Sequence, residues 1–173
     1  SLSGMPFVYP THQGRAAERI LCDVLDLDGK VVLSNGLFDT TRANLEAAQA
    51  VGLDLPRGDA LSGRRAFGGD VDLAKLDAAL EEHGERVAMV VMTVTNNTVG
   101  GQAVSLANLR AVGERLRAIT PAKRPLFLLD ACRFAENAYR IACDEESERG
   151  RPLLEIAREM FSLADGCTMS AKK

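Results

Sequence analysis

The chain has 173 residues, of which 46% are hydrophobic and 26% charged, a composition typical of one ordinary globular domain. Its 24 acidic and 21 basic residues are mixed along the sequence and give a net charge of −3, which argues against nucleic acid or a membrane as a partner. No apolar run approaches the roughly 18–20 residues that span a bilayer.

The four cysteines, Cys22, Cys132, Cys143 and Cys167, have none of the close paired spacings typical of zinc sites or redox motifs. We therefore expect no metal site, and reduced thiols in a cytoplasmic protein. Neither end of the sequence carries a clear cap or closing element, so we also expect a segment of a longer polypeptide.

Helix and strand patterns alternate along the chain, which predicts an α/β fold with a mostly parallel sheet. In the first half we predict a helix that starts after Thr11 and runs through Cys22, a strand over 31–34, a helix over 42–50 capped by Thr40 or Thr41, a loop over 56–65 and a helix over 72–83. In the second half we predict a strand over 87–94, a helix over 106–119 capped by Ser105, a strand over 126–130, helices over 134–146 and 152–161, and a strand before Lys172.

Sheets of this kind bind ligands beyond the carboxyl ends of their strands. The chemistry is therefore expected in the loops after Ser34, Val94, Asp130 and Met169. Asp130 ends one strand, and Lys173 follows another. Pyridoxal phosphate (PLP) enzymes need such a pair, because a lysine carries the cofactor as a Schiff base and an acid keeps the pyridine nitrogen protonated, so that the ring can accept electrons.

Each of these residues also has an ordinary interpretation. An acid at the end of an apolar strand is more often a helix cap or a metal ligand, and a lysine doublet such as Lys172-Lys173 is usually solvated. Arg133 follows Asp130 closely in the sequence. It suits an anionic cofactor, but it also suits a simple buried ion pair.

The segment Gln13-Gly14-Arg15 lies where a loop meets a predicted helix, a setting that suits a phosphate site. Glycine allows close backbone approach, the helix start presents free amides, and arginine adds a charged donor. Ser170 can donate its hydroxyl to a phosphate. Asn97 is either a turn residue or an amide placed over a ligand, and Phe38 is either a core residue or an aromatic lid on a flat cofactor.

Five segments together resemble the β-eliminating lyases, the tryptophanase and tyrosine phenol-lyase family of PLP enzymes. They follow the order and spacing of that family: Pro10-Thr-His-Gln-Gly-Arg-Ala-Ala-Glu18, Ser34-Asn-Gly-Leu-Phe-Asp-Thr-Thr41, Val99-Gly-Gly-Gln-Ala-Val-Ser-Leu-Ala-Asn108, Asp130-Ala-Cys-Arg-Phe-Ala-Glu-Asn-Ala-Tyr139 and Met169-Ser-Ala-Lys-Lys173. The resemblance implies a PLP-dependent transferase-like large domain of the aspartate aminotransferase fold (type I), with a mostly parallel sheet flanked by helices.

The resemblance implies a role for each matching residue. Lys173 would hold PLP as a Schiff base and then remove the α-proton of the substrate, and Asp130 would pair with the pyridinium nitrogen. Arg133 would lie near the phenolic oxygen of the cofactor. Asn97 would bond that oxygen or the substrate carboxylate, and Phe38 would stack on the ring. The phosphate would be held by Gln13, Gly14, Arg15 and Ser170.

The implied reaction is the β-elimination of an aromatic amino acid, which yields pyruvate, ammonia and the released ring. Tryptophanases have an acid directly after the stacking phenylalanine, where tyrosine phenol-lyases have threonine. That residue is Asp39 here, which favours L-tryptophan as substrate and indole as product. The alternatives are tyrosine phenol-lyase or a related β-eliminating lyase, and a non-catalytic PLP-fold module.

The resemblance also implies a homotetramer, built as a dimer of dimers, and a monovalent cation (K⁺) whose ligands cannot be assigned to residues of this chain. Family members are much longer and have an N-terminal arm and a second, smaller domain, with an arginine that binds the substrate carboxylate. Residues 1–173 would therefore be part of the PLP-binding large domain, and they would be inactive alone.

Overall fold

The computed structural model describes residues 2–60, 62 and 66–170, which form a sheet with helices on both faces. The strands are β1 (Val31–Ser34), β2 (Val51–Asp54), β3 (Val87–Thr93), β4 (Leu126–Asp130) and β5 (Gly166–Thr168). The helices are α1 (Gly14–Leu25), α2 (Asp39–Ala47), α3 (Leu73–His83), α4 (Leu106–Arg117), α5 (Phe134–Asp144) and α6 (Leu153–Ser162). The described strands lie in the order β2-β1-β3-β4-β5, and each neighbouring pair is parallel.

The sheet has a separate hydrophobic core on each face, because successive residues of a strand point to opposite sides. Phe127 and Leu129 of β4 pack into the larger core, whereas Leu128 between them packs into the smaller one. The larger core receives side chains from four helices, α3 to α6: Leu76, Leu109, Ile141 and Met160, among others. The smaller core receives Cys22 from α1 and Leu45 from α2.

Most predicted elements are present with small shifts at their ends. β1 and β4 have the predicted bounds, and β3 ends one residue earlier than predicted, at Thr93. The predicted cap of α4 is confirmed, since the Ser105 hydroxyl accepts the N–H of Asn108 at 3.0 Å. The prediction of an α/β fold with a parallel sheet is therefore correct.

The predicted start of α2 is wrong by one turn. The helix begins at Asp39, so Thr40 and Thr41 lie in its first turn and Phe38 occupies the cap position without a capping side-chain bond. The helix also ends earlier than predicted, at Ala47.

An edge strand, β2, follows α2 where no strand was predicted. Gln49 leaves the helix with a positive φ of 57°, and Val51 then pairs with Val31 of β1. The sequence does not show a typical strand pattern here, because Gly52 and Asp54 are residue types that are depleted in strands.

The strand register places Thr93, Asp130 and Thr168 side by side at the carboxyl edge of the sheet. The loops that follow β3, β4 and β5 therefore start from neighbouring points, as predicted for a ligand site. No helix in the described part of the chain is long and apolar enough to span a bilayer.

Candidate active site

A cavity of about 250 Å³ opens at the carboxyl edge of the sheet. Its volume lies just below the usual range for ligand sites, roughly 300–1,000 Å³. Its walls come from the N-terminus of α1, the start of α2, the loop after β3, and the ends of β4 and β5. The lining residues are Gln13, Gly14, Arg15, Glu18, Phe38, Thr40, Asn97, Asp130, Cys132, Thr168, Met169 and Ser170.

The cavity gathers most of the predicted site residues from distant parts of the sequence. These are Gln13, Gly14, Arg15, Phe38, Asn97, Asp130 and Ser170. Asp39 and Arg133 do not line the cavity. Lys173 lies outside the described residues, three positions after Ser170 in the sequence.

The N-terminus of α1 forms one wall of the cavity. Gln13 at the cap position has an extended backbone, and its carbonyl accepts the N–H groups of Ala16 and Ala17 at 3.1 and 3.4 Å. No hydrogen bond among the described residues uses the N–H of Gly14 or Arg15. These two donors remain available, and a helix N-terminus with available donors attracts anions.

Asp130 is half-buried at the end of β4, between Thr93 of β3 and Thr168 of β5. Its Oδ1 accepts a long hydrogen bond of 3.4 Å from the backbone N–H of Cys132. The carboxylate is therefore held at the carboxyl edge, where it lines the cavity.

The chain after β5 passes directly over the start of α1. The carbonyl of Thr168 accepts the N–H of Ala131 at 2.8 Å, which holds the end of β5 against the chain after β4. A Cβ built on Gly14 would lie 3.7 Å from the Cβ of Ser170. Ser170 thus faces the turn at which α1 begins.

Arg133 packs on the loop that presents Asn97 to the cavity. Its backbone N–H donates to the carbonyl of Val94 at 3.0 Å. Its guanidinium Nη1 is 3.3 Å from the position of a Cβ built on Gly101, which has a φ of +77°. Glycine adopts this conformation without strain and leaves room for the guanidinium.

Phe38 and Asp39 lie at the junction of the loop after β1 and α2. Phe38 lines the cavity and is 40% exposed, so its ring is a cavity wall and not part of either core. Asp39 is exposed at the first position of the helix, next to the rim of the cavity.

Asn35 is a structural support of the site that was not predicted from the sequence. It is fully buried, and its amide donates to the carbonyls of Gly69 and Thr93 at 2.8 and 3.1 Å. Its Oδ1 accepts the N–H of Thr93 at 2.9 Å. This one side chain ties the loop after β1 to the end of β3. The only sequence signal was its place within a matching segment.

Five further residues line the cavity that were not predicted from the sequence: Glu18, Thr40, Cys132, Thr168 and Met169. Glu18 had a usable signal, since it stands four positions after Gly14 on the same helix. Residues at that spacing share one helix face, so a phosphate-binding turn at Gly14 predicts that Glu18 lies near the ligand.

Two thiols, the buried Cys22 and the half-buried Cys167, lie on elements that line the cavity. Burial raises the pKa of Cys167 in β5, and burial together with the carboxylates of Glu18 and Asp23 raises the pKa of Cys22 in α1. Both thiols are therefore protonated at neutral pH, and we assign them to packing and not to nucleophilic chemistry.

Comparison with protein families matches residues 1–173 to the family described as β-eliminating lyase. A tryptophanase of Salinibacter ruber is 51% identical over 98% of this chain and 36% of its own length. A tryptophanase of Rhodobacter capsulatus is 49% identical over 98% of this chain and 37% of its own length. A tyrosine phenol-lyase of Intrasporangium calvum is 43% identical over 98% of this chain and 36% of its own length. The chain thus spans about a third of the length of these curated relatives.

Solved structures show the same fold at low sequence identity. A putative aromatic amino acid β-eliminating lyase/threonine aldolase from Exiguobacterium sp. 255-15 is 18% identical and has a TM-score of 0.62 over 99% of this chain and 42% of that one. An aromatic-amino-acid aminotransferase from Burkholderia pseudomallei, covalently bound to PLP, is 19% identical and has a TM-score of 0.60 over 93% of this chain and 36% of that one. The predicted aminotransferase-type fold is confirmed.

Proposed function

Because the chain belongs to the β-eliminating lyase family, we propose that it forms the PLP-binding side of the active site of a carbon–carbon lyase. The proposed substrate is L-tryptophan, which would be cleaved with one molecule of water to indole, pyruvate and ammonia. One observation carries the proposal: a single cavity is lined by an acid, an aromatic ring and a helix N-terminus with available donors. The acid is Asp130, the ring is that of Phe38, and the helix is α1.

The residues at the start of α1 fit the phosphate group of PLP. The N–H groups of Gly14 and Arg15 have no acceptor among the described residues. The guanidinium of Arg15 adds positive charge, and the side chains of Gln13 and Ser170 add neutral donors. Together they would bind a dianion by the donors and the dipole of one helix end.

Asp130 and Phe38 fit the pyridine ring of PLP. Asp130 would face the ring nitrogen, and Phe38 would stack on the face of the ring. When bound, PLP supplies an electron sink for the negative charge that develops at the α-carbon of the substrate. Asp130 would keep a proton on the ring nitrogen. Because Asp130 is half-buried, its attraction for that proton is stronger than it would be in water.

We assign covalent attachment of PLP and removal of the substrate α-proton to Lys173. It follows Ser170, which lines the cavity, by three residues, and three residues of chain span at most roughly 10 Å. Arg133 would lie near the phenolic oxygen of the cofactor, and Asn97 would donate its amide to that oxygen or to the substrate carboxylate.

Two observations favour tryptophan as substrate. The two tryptophanases are 51% and 49% identical to this chain, compared with 43% for the tyrosine phenol-lyase. Asp39 follows Phe38 directly and is exposed at the first position of α2. Its carboxylate would accept the indole N–H. The 43% identity makes tyrosine phenol-lyase activity the second candidate.

We propose that residues 1–173 are part of the large domain of a longer enzyme and are inactive alone, since the chain spans about a third of its curated relatives. The whole enzyme would be a homotetramer with a bound monovalent cation, as the family resemblance implies. All four cysteines are free thiols, which fits a reducing compartment such as the cytoplasm.

The test is absorbance spectroscopy of the full-length protein with PLP, for the wild type, Lys173→Ala and the matched control Lys172→Ala. We expect a visible band of lysine-bound cofactor in the wild type and the control and none in Lys173→Ala. The band should move when L-tryptophan is added, and pyruvate should be released. If the wild type shows no band, the non-catalytic module becomes the better interpretation.

The substrate is tested by replacing Asp39 with threonine. Loss of one charge-assisted hydrogen bond should lower kcat/KM for tryptophan by roughly 10- to 100-fold. Steady-state kinetics with tryptophan and with tyrosine measure the change. Full activity of Asp39→Thr on tryptophan would contradict the assignment, and a wild type that cleaves tyrosine better would favour the second candidate.

A further inference from the structure

Glu18 connects the two helices that form different walls of the cavity. Its Oε1 accepts the hydroxyl of Thr41 at 2.9 Å, and its Oε2 accepts the hydroxyl of Thr40 at 2.9 Å. The amide of Asn44 also donates to Oε2, at 3.4 Å. Both oxygens of this α1 carboxylate are thus bonded to side chains of α2.

The same contact stabilises the N-terminus of α2. The cap position of this helix is Phe38, an aromatic residue that makes no capping bond. A carboxylate next to the first turn is favourable, because the helix dipole places partial positive charge there. Asn44 also donates to the backbone carbonyl of Arg15 at 3.3 Å. Helix α2 is therefore bonded to α1 at two points: its first turn and Asn44 bond to Glu18, and Asn44 also bonds to Arg15.

These bonds set the spacing between two functional parts of the cavity. The turn over residues 13–15 begins α1, and Phe38 directly precedes α2. In the sequence the two parts are separated by the whole of β1. The side chains of Glu18 and Asn44 therefore link them much more directly than the backbone does.

Glu18 places a negative charge next to a wall of the cavity that suits an anion. It lines a cavity whose neighbouring wall is suited to a phosphate, and two negative groups at close range repel each other. Bonding to Thr40, Thr41 and Asn44 holds the carboxylate towards α2 and stabilises its charge there.

We propose that Glu18 is a positioning residue, which holds Phe38 at a fixed distance from the phosphate-binding turn over residues 13–15. It acts through Thr40 and Thr41 on the start of α2 and does not touch the reacting atoms. This inference rests on the proposed function, since it takes PLP to be the ligand of the cavity.

The experiment compares the full-length wild type with Glu18→Ala, Glu18→Gln and the control Asp23→Asn. Asp23 is an acid on the same helix, where it pairs with Arg19 at 2.9 Å on the surface. We measure the dissociation constant of PLP, the circular dichroism that the protein induces in bound PLP, and kcat and KM.

Glu18→Ala should weaken PLP binding by about tenfold, since it removes hydrogen bonds to a charged group. It should also change the induced circular dichroism, which reports how the ring is held, and lower kcat more than it raises KM. Glu18→Gln keeps an acceptor oxygen and should recover part of each effect. Asp23→Asn should match the wild type. If Glu18→Ala fails to fold, Thr41→Val removes one donor of the same contact and should show the same changes to a smaller extent.

A second readout does not need the cofactor. In the apo protein, Glu18→Ala should speed amide exchange at the start of α2, where the N–H of Arg42 donates to the carbonyl of Phe38 at 2.9 Å, and leave α4 unchanged. Faster exchange in Glu18→Ala, together with a wild type that does not bind PLP, would support the contact and refute the proposed function. Unchanged induced circular dichroism and exchange in Glu18→Ala would overturn the positioning role. An equal loss of PLP affinity in Asp23→Asn would also overturn it.

Discussion

Gly36 illustrates how closely the loops around the cavity approach each other. It lies in the loop after β1, against side chains of the loop after β3. A Cβ on Gly36 would overlap Oγ1 of Thr98 and stand 2.7 Å from Oδ1 of Asn96. Asn96 cannot move aside easily, since it is fully buried and its amide donates to the carbonyl of Asn35 at 2.8 Å.

We therefore expect Gly36→Ala to lower the free energy of unfolding by roughly 1–3 kcal/mol, the usual cost of forcing extra atoms into a packed site. The matched control is Gly58→Ala, because a Cβ on Gly58 meets open space. The control should change stability by less than roughly 0.5 kcal/mol. Urea denaturation of both variants measures the difference, and equal stability of the two would contradict the prediction.

Asp70 is a buried acid outside the cavity, near the start of α4. Its Oδ1 accepts the N–H of Ser105 at 2.8 Å, and its Oδ2 accepts the hydroxyl of Ser105 at 3.2 Å. Burial raises the pKa of Asp70 to about 6, although the bonds from Ser105 and the charge of Arg57 act in the opposite direction.

The raised pKa predicts how stability depends on pH. Between about pH 4 and pH 6 the folded protein keeps a proton on Asp70 that the unfolded chain has lost, so the contribution of Asp70 to stability falls as pH rises through this window. The total loss is roughly 3 kcal/mol, and it is complete above the folded pKa. Asp70→Asn cannot titrate and should remove this slope. Urea denaturation from pH 4 to 7 tests it, and an unchanged slope in the variant would disprove the assignment.

At the scale of single elements, the free N–H groups at the start of α4 are capped by two different segments of the chain. Ser105 caps the third free N–H, that of Asn108, from within the same segment. Glu145, from the end of α5, accepts the N–H groups of Leu106 and Ala107 at 2.7 and 2.9 Å. The carboxylate also lies at the positive end of the helix dipole.

We expect Glu145→Ala to cost roughly 1.5–3 kcal/mol of stability, because it removes two hydrogen bonds to a charged group and leaves buried donors unsatisfied. Glu146→Ala is the control, since Glu146 is the next residue and is exposed. Chemical denaturation of both variants measures the effect. A loss in the control as large as that in Glu145→Ala would show that the two bonds are not its cause.

Local patterns predict most of the elements, because the residues of β1, β4 and α4 carry their own signals. The edge strand β2 lacks such a signal, since Val51 is 53% exposed and Gly52 interrupts the apolar run. Its strand conformation comes from its pairing with β1, which is a contact between segments and not a property of four residues.

The same distinction applies to the candidate site. The positions of Asp130 and Ser170 follow from the ends of their strands, so a sequence pattern could place both of them at the carboxyl edge. The partners of Glu18 and Asn35 could not be predicted in this way, because Thr40 and Thr93 lie 22 and 58 residues away from them. No periodic pattern carries information about such pairs.

At the scale of the whole molecule, the two faces of the sheet differ in how firmly they are packed. In α1 the buried residue is Cys22, and in α2 it is Leu45. In α4, on the opposite face, six residues are buried: Leu106, Asn108, Leu109, Val112, Gly113 and Leu116. The helices that line the candidate site thus belong to the more weakly packed layer.

This asymmetry predicts the pattern of native-state hydrogen exchange. Local opening is easier where fewer apolar contacts are buried, so the amides of α1 and α2 should exchange faster than those of α4 in the apo protein. A ligand that binds the N–H groups of Gly14 and Arg15 stabilises the closed form of that layer. PLP should therefore slow exchange in α1 and α2 more than in α4.

Exchange measured by mass spectrometry with and without PLP tests both parts of this prediction. Equal protection of the three helices in the apo protein would contradict the packing argument, whereas a PLP effect centred on α4 would contradict the proposed location of the phosphate site.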